Sequence, residues 1–262
     1  MITSAQNVKI KLARALLSQK KERVAANKFV VEGIRLAEEA VESGMKPELV
    51  LFSRALSGRG RELITRLEST SSQFEEVEAN LLDRVSDTRS SQGILMILET
   101  PDMELPGNPD PVLALDDIRD PGNLGTILRS AWAAGFRAAL LTPQCVEAFS
   151  PKVVRAGMGA HFNVPIRTLD PAEIQAFCKE QAKPPLQILL ADARNGQPCW
   201  EADLTVPLCL VIGSEAEGAS ERMQEISDRN IFIPIQGDAE SFNAAAAAGI
   251  LMYEITRQRT TK

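Results

Sequence analysis

The chain has 262 residues, with 29 Lys and Arg against 35 Asp and Glu, and a formal net charge of −6. Its composition, 44% hydrophobic and 24% charged, is that of a soluble globular protein of one large or two smaller domains. No apolar stretch approaches the roughly 20 residues that span a bilayer. The N-terminus also has no apolar run long enough for a signal peptide. We therefore expect a cytoplasmic protein with no membrane segment.

The cysteines and the histidine restrict the possible chemistry. The four cysteines, at positions 145, 178, 199 and 209, form no C-x-x-C pair, which argues against a zinc site or a disulfide framework. His161 is the one histidine, so a Ser-His-Asp triad or a multi-histidine metal centre would depend on it alone. We expect no metal.

The first hundred residues are predicted to alternate between helices and strands. A basic helix is predicted over residues 8–26. Apolar periodicity predicts the other elements: strands at 29–31, 47–53, 73–78 and 93–100, and helices from 34 until Gly44, at 60–70 and at 80–87. Residues 1–35 carry eight Lys and Arg against two Glu. Such a cluster can neutralise the phosphates of a nucleic acid, although a solvated helix face is an equally good interpretation.

Residues 101–111 contain four prolines and one glycine, which predicts a linker. We place the boundary near residue 105, which gives two domains, 1–105 and 106–262. The second domain is predicted to contain strands at 112–118, 138–143, 164–169, 186–193, 208–214 and 231–235, and helices at 123–136, 151–162, 171–182 and 242–259. Strands rich in Val, Ile and Leu that alternate with helices predict an α/β fold with a parallel sheet covered on both faces.

The segment "DPGNLGTILRSA" places a glycine-rich turn and a helix directly after a strand. We expect the helix to begin near Asn123, which would leave backbone N–H groups free for an anion. Arg129 follows about two turns into that helix. A capping Asn123 and a surface Arg129 are the alternative. The adjacent Asp116 and Asp117 point to opposite faces of a strand, and we interpret them as structural.

Two further strand ends carry unusual chemistry, and ligands of open α/β sheets bind at such ends. In "LVIGSEAEG" a strand runs into Gly213, which would let a ligand approach the backbone, and Glu215 follows. In "IPIQGDAESFNAAAAAG" a loop carries Ser241 and Asn243 into a helix. Ser241 would be a natural N-cap, and Asn243 would be a poor choice just inside the helix.

Together the three segments resemble the motifs of the SpoU family of tRNA and rRNA 2′-O-ribose methyltransferases, from about residue 112 to the C-terminus. The first hundred residues are more loosely similar to the ribosomal-protein-like α/β domain that often precedes this enzyme. The resemblance implies a parallel sheet whose C-terminal part forms a trefoil knot, S-adenosylmethionine as cofactor, RNA as partner, and a homodimer that completes the site across its interface.

The resemblance also implies the site residues. The catalytic group would be Asn123, Arg129, Glu215, Ser241 and Asn243. The cofactor would be lined by Gly213, Ile233, Ile235 and Phe242. The sequence departs from the family pattern at Phe242, where Leu is usual, at Ala216, where Gly is common, and at Gly157, where Ser is typical.

A ribose hydroxyl is a very weak acid, so its methylation needs a base or a strong field. Arg129 is the one charged candidate in the motifs and is nearly always protonated. We therefore expect it to hold the target phosphate and lower the pKa of the hydroxyl; a role as the base is the alternative. We expect ribosomal RNA as substrate. The alternatives are tRNA, or a non-catalytic RNA-binding or ribosome-assembly protein on the same fold.

Overall fold

The computed structural model describes residues 1–68, 73–87, 91–193, 195–214 and 217–260. The chain divides into two compact units. The first contains Met1–Pro101 and Phe149–Phe162, and the second contains Asp102–Ala148 and Asn163–Lys262. The chain therefore leaves the second unit after residue 148 and returns to it at residue 163.

The first unit is built on a four-stranded sheet of order β1-β4-β2-β3. Its strands are β1 (Lys28–Glu32), β2 (Leu49–Phe52), β3 (Gln73–Glu76) and β4 (Ile94–Glu99). Its helices are α1 (Val8–Ser18), α2 (Lys20–Ala26), α3 (Ile34–Glu42), α4 (Gly58–Leu67), α5 (Ala79–Val85), α7 (Pro151–Gly157) and most of α8 (Ala160–Asn163). Strand β4 is antiparallel to β1 and β2, and β3 is parallel to β2.

Strands β1, β2 and β4 are buried on both faces over most of their length, which explains their apolar runs, whereas the edge strand β3 is partly exposed. Along β1, Phe29 and Val31 pack into one core cluster and Val30 into the other. Val154 and Phe162, from the inserted segment 149–162, join the cluster that contains Phe29. The insertion is therefore part of the hydrophobic core of the first unit.

The second unit is built on a seven-stranded sheet of order β7-β6-β5-β10-β8-β11-β9. All its neighbouring strands pair in parallel. The strands are β5 (Val112–Leu115), β6 (Ala138–Leu141), β7 (Ile166–Thr168), β8 (Gln187–Ala191), β9 (Gln197–Pro198), β10 (Leu208–Ile212) and β11 (Arg229–Phe232). The parallel sheet predicted from the apolar strands is confirmed. The trefoil knot stays a prediction.

The helices described in this unit are α6 (Pro121–Ala133), α9 (Pro171–Ala176), α10 (Glu221–Ile226) and α11 (Ala244–Thr260). Helix α9 continues as a π-helical turn (Phe177–Gln181). Helix α6 packs against α11. No helix among the described residues is long and apolar enough to cross a membrane.

Several predicted boundaries were wrong, for local reasons. The helix over 8–26 is two helices, because Gln19 adopts an extended conformation (φ −126°, ψ 116°). The helix over 151–162 is also two, because Met158 and Gly159 have positive φ. Helix α10 and strand β9 were not predicted from the sequence, and α11 begins two residues later than predicted. Residues 69–70 of the helix expected at 60–70 lie outside the described residues.

Candidate functional site

A cavity of about 300 Å³ lies at the carboxyl ends of β8, β10 and β11, which are neighbours in the second sheet. Its volume is at the lower end of the range of small-molecule sites. Among the described residues, its wall is formed by apolar residues and by the acidic residues Asp192, Glu217 and Glu240. The residues that line it are Leu190–Ala193, Ile212–Ser214, Glu217–Ala219, Gln224, Ile231–Ile233, Ile235, Glu240–Phe242, Ala244, Ala247 and Leu251.

The four residues predicted to line a cofactor all line this cavity, and so does Ser241. Gly213 follows β10, Ile233 and Ile235 follow β11, and Phe242 precedes α11. Segments some 20 to 30 residues apart in the chain therefore meet at one place because parallel strands end at the same edge of a sheet.

Gly213 is required for a reason other than the predicted approach of a ligand. A Cβ at this position would lie 2.4 Å from the backbone nitrogen of Ala219 and 2.4 Å from the carbonyl carbon of Gly218. The absence of a side chain at Gly213 leaves room for the backbone of Gly218 and Ala219, where the loop that follows β10 passes back beside its own start. Ser214 and Gly218 close this loop with reciprocal backbone hydrogen bonds.

A pair of asparagines joins the first predicted motif to the third. The Asn243 side-chain oxygen accepts hydrogen bonds from the backbone N–H groups of Ala245 and Ala246, so Asn243 caps α11. This orientation turns its amide nitrogen outward, where it donates to Asn123 Oδ1 at 3.1 Å. The residue that caps α11 is thus Asn243, and not Ser241 as one interpretation of the sequence had it.

The turn before α6 differs from the sequence prediction. Asp120 is the N-cap, and its carboxylate accepts a hydrogen bond from the Asn123 backbone N–H at 2.7 Å. The helix begins at Pro121, so the N–H of Asn123 is already used and is not available to an anion.

Arg129 is exposed on α6 and is not among the residues that line the cavity. Within the described ranges, its guanidinium has no hydrogen bond or ion pair. Glu215 and Ala216 lie outside the described residues, so the expected roles of Glu215 and of the Ala216 departure stay predictions.

The sequence analysis missed Asp192, which lines the cavity directly after β8. Its carboxylate accepts hydrogen bonds from the side-chain amides of Asn195 and Asn230. The sequence signal for Asp192 was its position as an acid at the carboxyl end of a buried strand. Candidate residues at the ends of the neighbouring strands β10 and β11 had been selected by the same criterion.

Cys145 lies near the ends of β5 and β6 and donates to the backbone oxygen of Leu115. Burial raises the pKa of this thiol. A protonated thiol is a poor nucleophile, so Cys145 is unsuited to covalent catalysis. No group of three or more His, Cys, Asp or Glu side chains in the described part of the chain could hold a metal ion.

A second, shallower groove runs along α11, on the surface of the second unit. Ile233 lines both this groove and the cavity. Large side chains in it are open to solvent: Trp200 is 51% exposed, Ile250 39% and Tyr253 70%. Exposed apolar patches of this kind mark interaction surfaces.

In the first unit, some basic side chains of residues 1–35 form ion pairs or hydrogen bonds within the unit. Lys9 pairs with Glu75, and Lys28 pairs with Glu48. Arg23 is buried and donates to the backbone oxygen of Leu16. The remaining basic side chains of the cluster are exposed: Lys11, Arg14, Lys20, Lys21 and Arg35.

A parallel α/β sheet with a small-molecule cavity at three strand ends defines a class of ligand-binding α/β proteins. Residues 110–253 match the model of the SpoU rRNA methylase family, and residues 7–96 match that of the MRM3-like substrate binding domain. The chain belongs to the SpoU rRNA methylase family.

Similar proteins cover nearly the whole chain. The 23S rRNA (guanosine(2553)-2′-O)-methyltransferase RlmP of Bacillus subtilis is 32% identical over 97% of this chain and 98% of its own length. The 23S rRNA (uridine(2479)-2′-O)-methyltransferase of Streptomyces viridochromogenes is 29% identical over 98% of this chain and 92% of its own. The crystal structure of the SpoU methyltransferase AviRb from Streptomyces viridochromogenes in complex with AdoMet matches with a TM-score of 0.89, at 28% identity, over 98% of this chain and 99% of that one.

Proposed function

We propose that this protein is an S-adenosylmethionine-dependent methyltransferase that acts on a ribose 2′-hydroxyl of ribosomal RNA. The observation that carries the proposal is the cavity at the ends of β8, β10 and β11, which is lined by residues of the second and third motifs. The similarity to an AdoMet complex and to two 23S rRNA 2′-O-methyltransferases, over almost the full chain, supports it.

The residues present fit this cofactor. Ile212, Ile233 and Phe242 offer apolar surface for an adenine ring. The acidic residues Asp192, Glu217 and Glu240 line the same space, and their negative charge favours a ligand of net positive charge. When bound, the cofactor supplies a methyl group on a sulfonium, which is already activated for transfer.

The chain must therefore position the acceptor and lower the pKa of its hydroxyl. Arg129 is the candidate for this role, because its exposed guanidinium can form bidentate hydrogen bonds with a phosphate of the target nucleotide. The field of a fixed positive charge favours the developing alkoxide. Asn123 and Asn243 hold the start of α11 against α6, and Ser241 lines the cavity. We propose Glu215 as a further residue of this site on the family resemblance alone.

We propose that a second copy of the chain occupies the groove along α11. The groove exposes Trp200, Ile250 and Tyr253, and it shares Ile233 with the cavity, so a partner seated there would border the cofactor. Arg129 is not among the residues lining the cavity of its own chain. A dimer would allow this arginine to serve the partner's cavity, as the family resemblance implies.

The first unit is the proposed RNA-binding domain. Five exposed Lys and Arg side chains of residues 1–35 remain after internal pairing: positions 11 and 14 on α1, 20 and 21 on α2, and 35 on α3. Each phosphate that they neutralise releases counterions, so binding should weaken steeply with salt. The domain limits of 1–105 and 106–262 stay a proposal, as does the cytoplasmic location.

The test is to map 2′-O-methyl groups in total RNA from cells with and without this protein. A site in ribosomal RNA that disappears with the protein supports the proposal, a site in tRNA replaces the substrate, and no change in either contradicts it. In the purified enzyme, Arg129→Ala should keep S-adenosylmethionine binding and lose methyl transfer. Arg137→Ala, which removes another exposed arginine of the same unit, is the control and should leave both unchanged.

A further inference from the structure

Asp116 is a buried carboxylate at the end of β5, outside the set of residues that line the cavity. It is 2% exposed and forms no ion pair with a described residue. Burying a carboxylate is costly unless hydrogen bonds compensate for the lost water. The hydrogen-bond donors to Asp116 therefore indicate the role of this buried charge.

Two donors from distant parts of the chain satisfy the carboxylate. Asp116 Oδ2 accepts from the backbone N–H of Ser220 at 2.7 Å, and Oδ1 accepts from Thr142 Oγ1 at 2.9 Å. Thr142 Oγ1 in turn accepts from the backbone N–H of Asp117 at 3.2 Å, which leaves its hydrogen for Asp116. The Ser220 N–H can only donate, so it needs an acceptor on the side chain at position 116, and a side chain without an acceptor would leave it unpaired.

The bond to Ser220 ends the loop that forms one wall of the cavity. This loop leaves β10 at Gly213, is closed by the hydrogen bonds between Ser214 and Gly218, and returns past Ala219 to Ser220. Gly213, Ser214, Gly218 and Ala219 all line the cavity. Ser220 is also the N-cap of α10, from which Gln224 reaches the same cavity.

We propose that Asp116 is a positioning residue for the cofactor, because it anchors the far end of the 213–220 loop through the Ser220 N–H. The inference rests on the proposed function, which assigns the cavity to S-adenosylmethionine. Asp116 follows β5, in the segment that leads into α6 with Asn123 and Arg129. Its bond to Ser220 therefore links this segment to the wall of the cofactor cavity. The interpretation of Asp116 as merely structural is replaced by this role.

Two substitutions at Ser220 differ in whether the donor to Asp116 is kept. The φ of Ser220, −59°, lies in the range that proline requires, so Ser220→Pro keeps this φ, deletes the N–H and places a ring carbon beside the Asp116 carboxylate. It also deletes the hydroxyl that accepts from the Met223 N–H. Ser220→Ala deletes the same hydroxyl and keeps the N–H, so it is the matched control. The difference between the two variants reports the disruption of the contact between residue 220 and Asp116.

The experiment measures binding of S-adenosylmethionine to the full-length protein by calorimetry, and the steady-state constants for methyl transfer. We expect Ser220→Ala to bind within about twofold of the wild type and Ser220→Pro to bind at least tenfold more weakly. At saturating cofactor, kcat of the Pro variant should stay within about threefold, because the loop is displaced and the reacting groups are intact. A merely structural role would lower the amount of active protein and leave KM for the cofactor unchanged.

Asp116→Ala provides the second measurement if the proline variant fails to fold. It removes the acceptor of the Ser220 N–H, so it should weaken cofactor binding in the wild-type background and add little to Ser220→Pro, since both remove the same interaction. Equal cofactor affinity of Ser220→Pro and Ser220→Ala, or an unchanged affinity of Asp116→Ala, overturns the inference. Absence of binding by the wild-type protein would instead overturn the proposed function.

Discussion

Gly213→Ala tests the cavity wall most directly. The added Cβ would lie 2.4 Å from the backbone of Ala219 and of Gly218, and both contacts are with backbone atoms that cannot rotate away. Non-bonded carbons are unstrained at about 3.5 Å, so the returning leg of the loop must withdraw by about 1 Å. Overpacking of this kind costs about 1–3 kcal/mol of the free energy of unfolding.

Because Gly218 and Ala219 also line the cavity, the same displacement should weaken binding of S-adenosylmethionine. We expect a dissociation constant raised at least tenfold, which corresponds to about 1.4 kcal/mol, measured by titration calorimetry beside a urea unfolding curve. Gly237→Ala is the control, because a Cβ there would meet nothing within 4 Å. A Gly213→Ala protein that unfolds and binds the cofactor like the Gly237→Ala protein would refute this account of the loop.

Three further predictions concern α11 and the core. Asn243→Ala should lower the free energy of unfolding by about 1 kcal/mol through loss of the helix cap; Asn243→Ser should restore most of it, and equal stabilities would contradict the capping role. Tyr253→Glu should give a monomer in sedimentation experiments, while Thr256→Glu, on α11 but outside the groove, should not; a dimeric Tyr253→Glu protein would argue against this interface. A hydrogen bond with the Cys178 thiol and burial hold the pKa of Cys209 well above its ordinary value, so the unfolded chain ionises first. Stability should therefore be intact below about pH 8.5 and fall above it, by about 1.4 kcal/mol per pH unit for this thiol. Cys209→Ala should remove the contribution of this thiol to the pH dependence of the free energy of unfolding. An unchanged pH dependence would contradict this contribution.

The apolar patterns were sufficient to predict most elements and the parallel sheet. Runs such as 208–212 and 94–98 are buried on both faces, and such strands are apolar throughout. Boundaries were less well predicted, because a single residue with an unusual backbone conformation, such as Gln19 or Met158, divides a continuous apolar pattern into two helices.

The sequence could not assign residues 149–162 to the first unit. Their pattern predicts an apolar helix face, but a pattern does not specify which core the face enters. In the structure, Val154 and Phe162 pack into the cluster of Phe29, and Arg155 pairs with Asp87. Only the tertiary packing decides this, since apolar surface has no directional preference for one partner over another.

The sequence by itself determined the family and the parallel sheet, and its motifs singled out Gly213, Ile233, Ile235, Ser241 and Phe242, which all line the cavity. These follow from local patterns, because strand ends and short motifs are properties of neighbouring residues. The tertiary structure alone decided that β10 lies between β5 and β8, that Asn243 reaches Asn123, and that the Asp116 carboxylate accepts from Ser220. The two side-chain bonds join residues more than a hundred positions apart, and such contacts depend on how the strands are ordered in space rather than on any pattern along the chain.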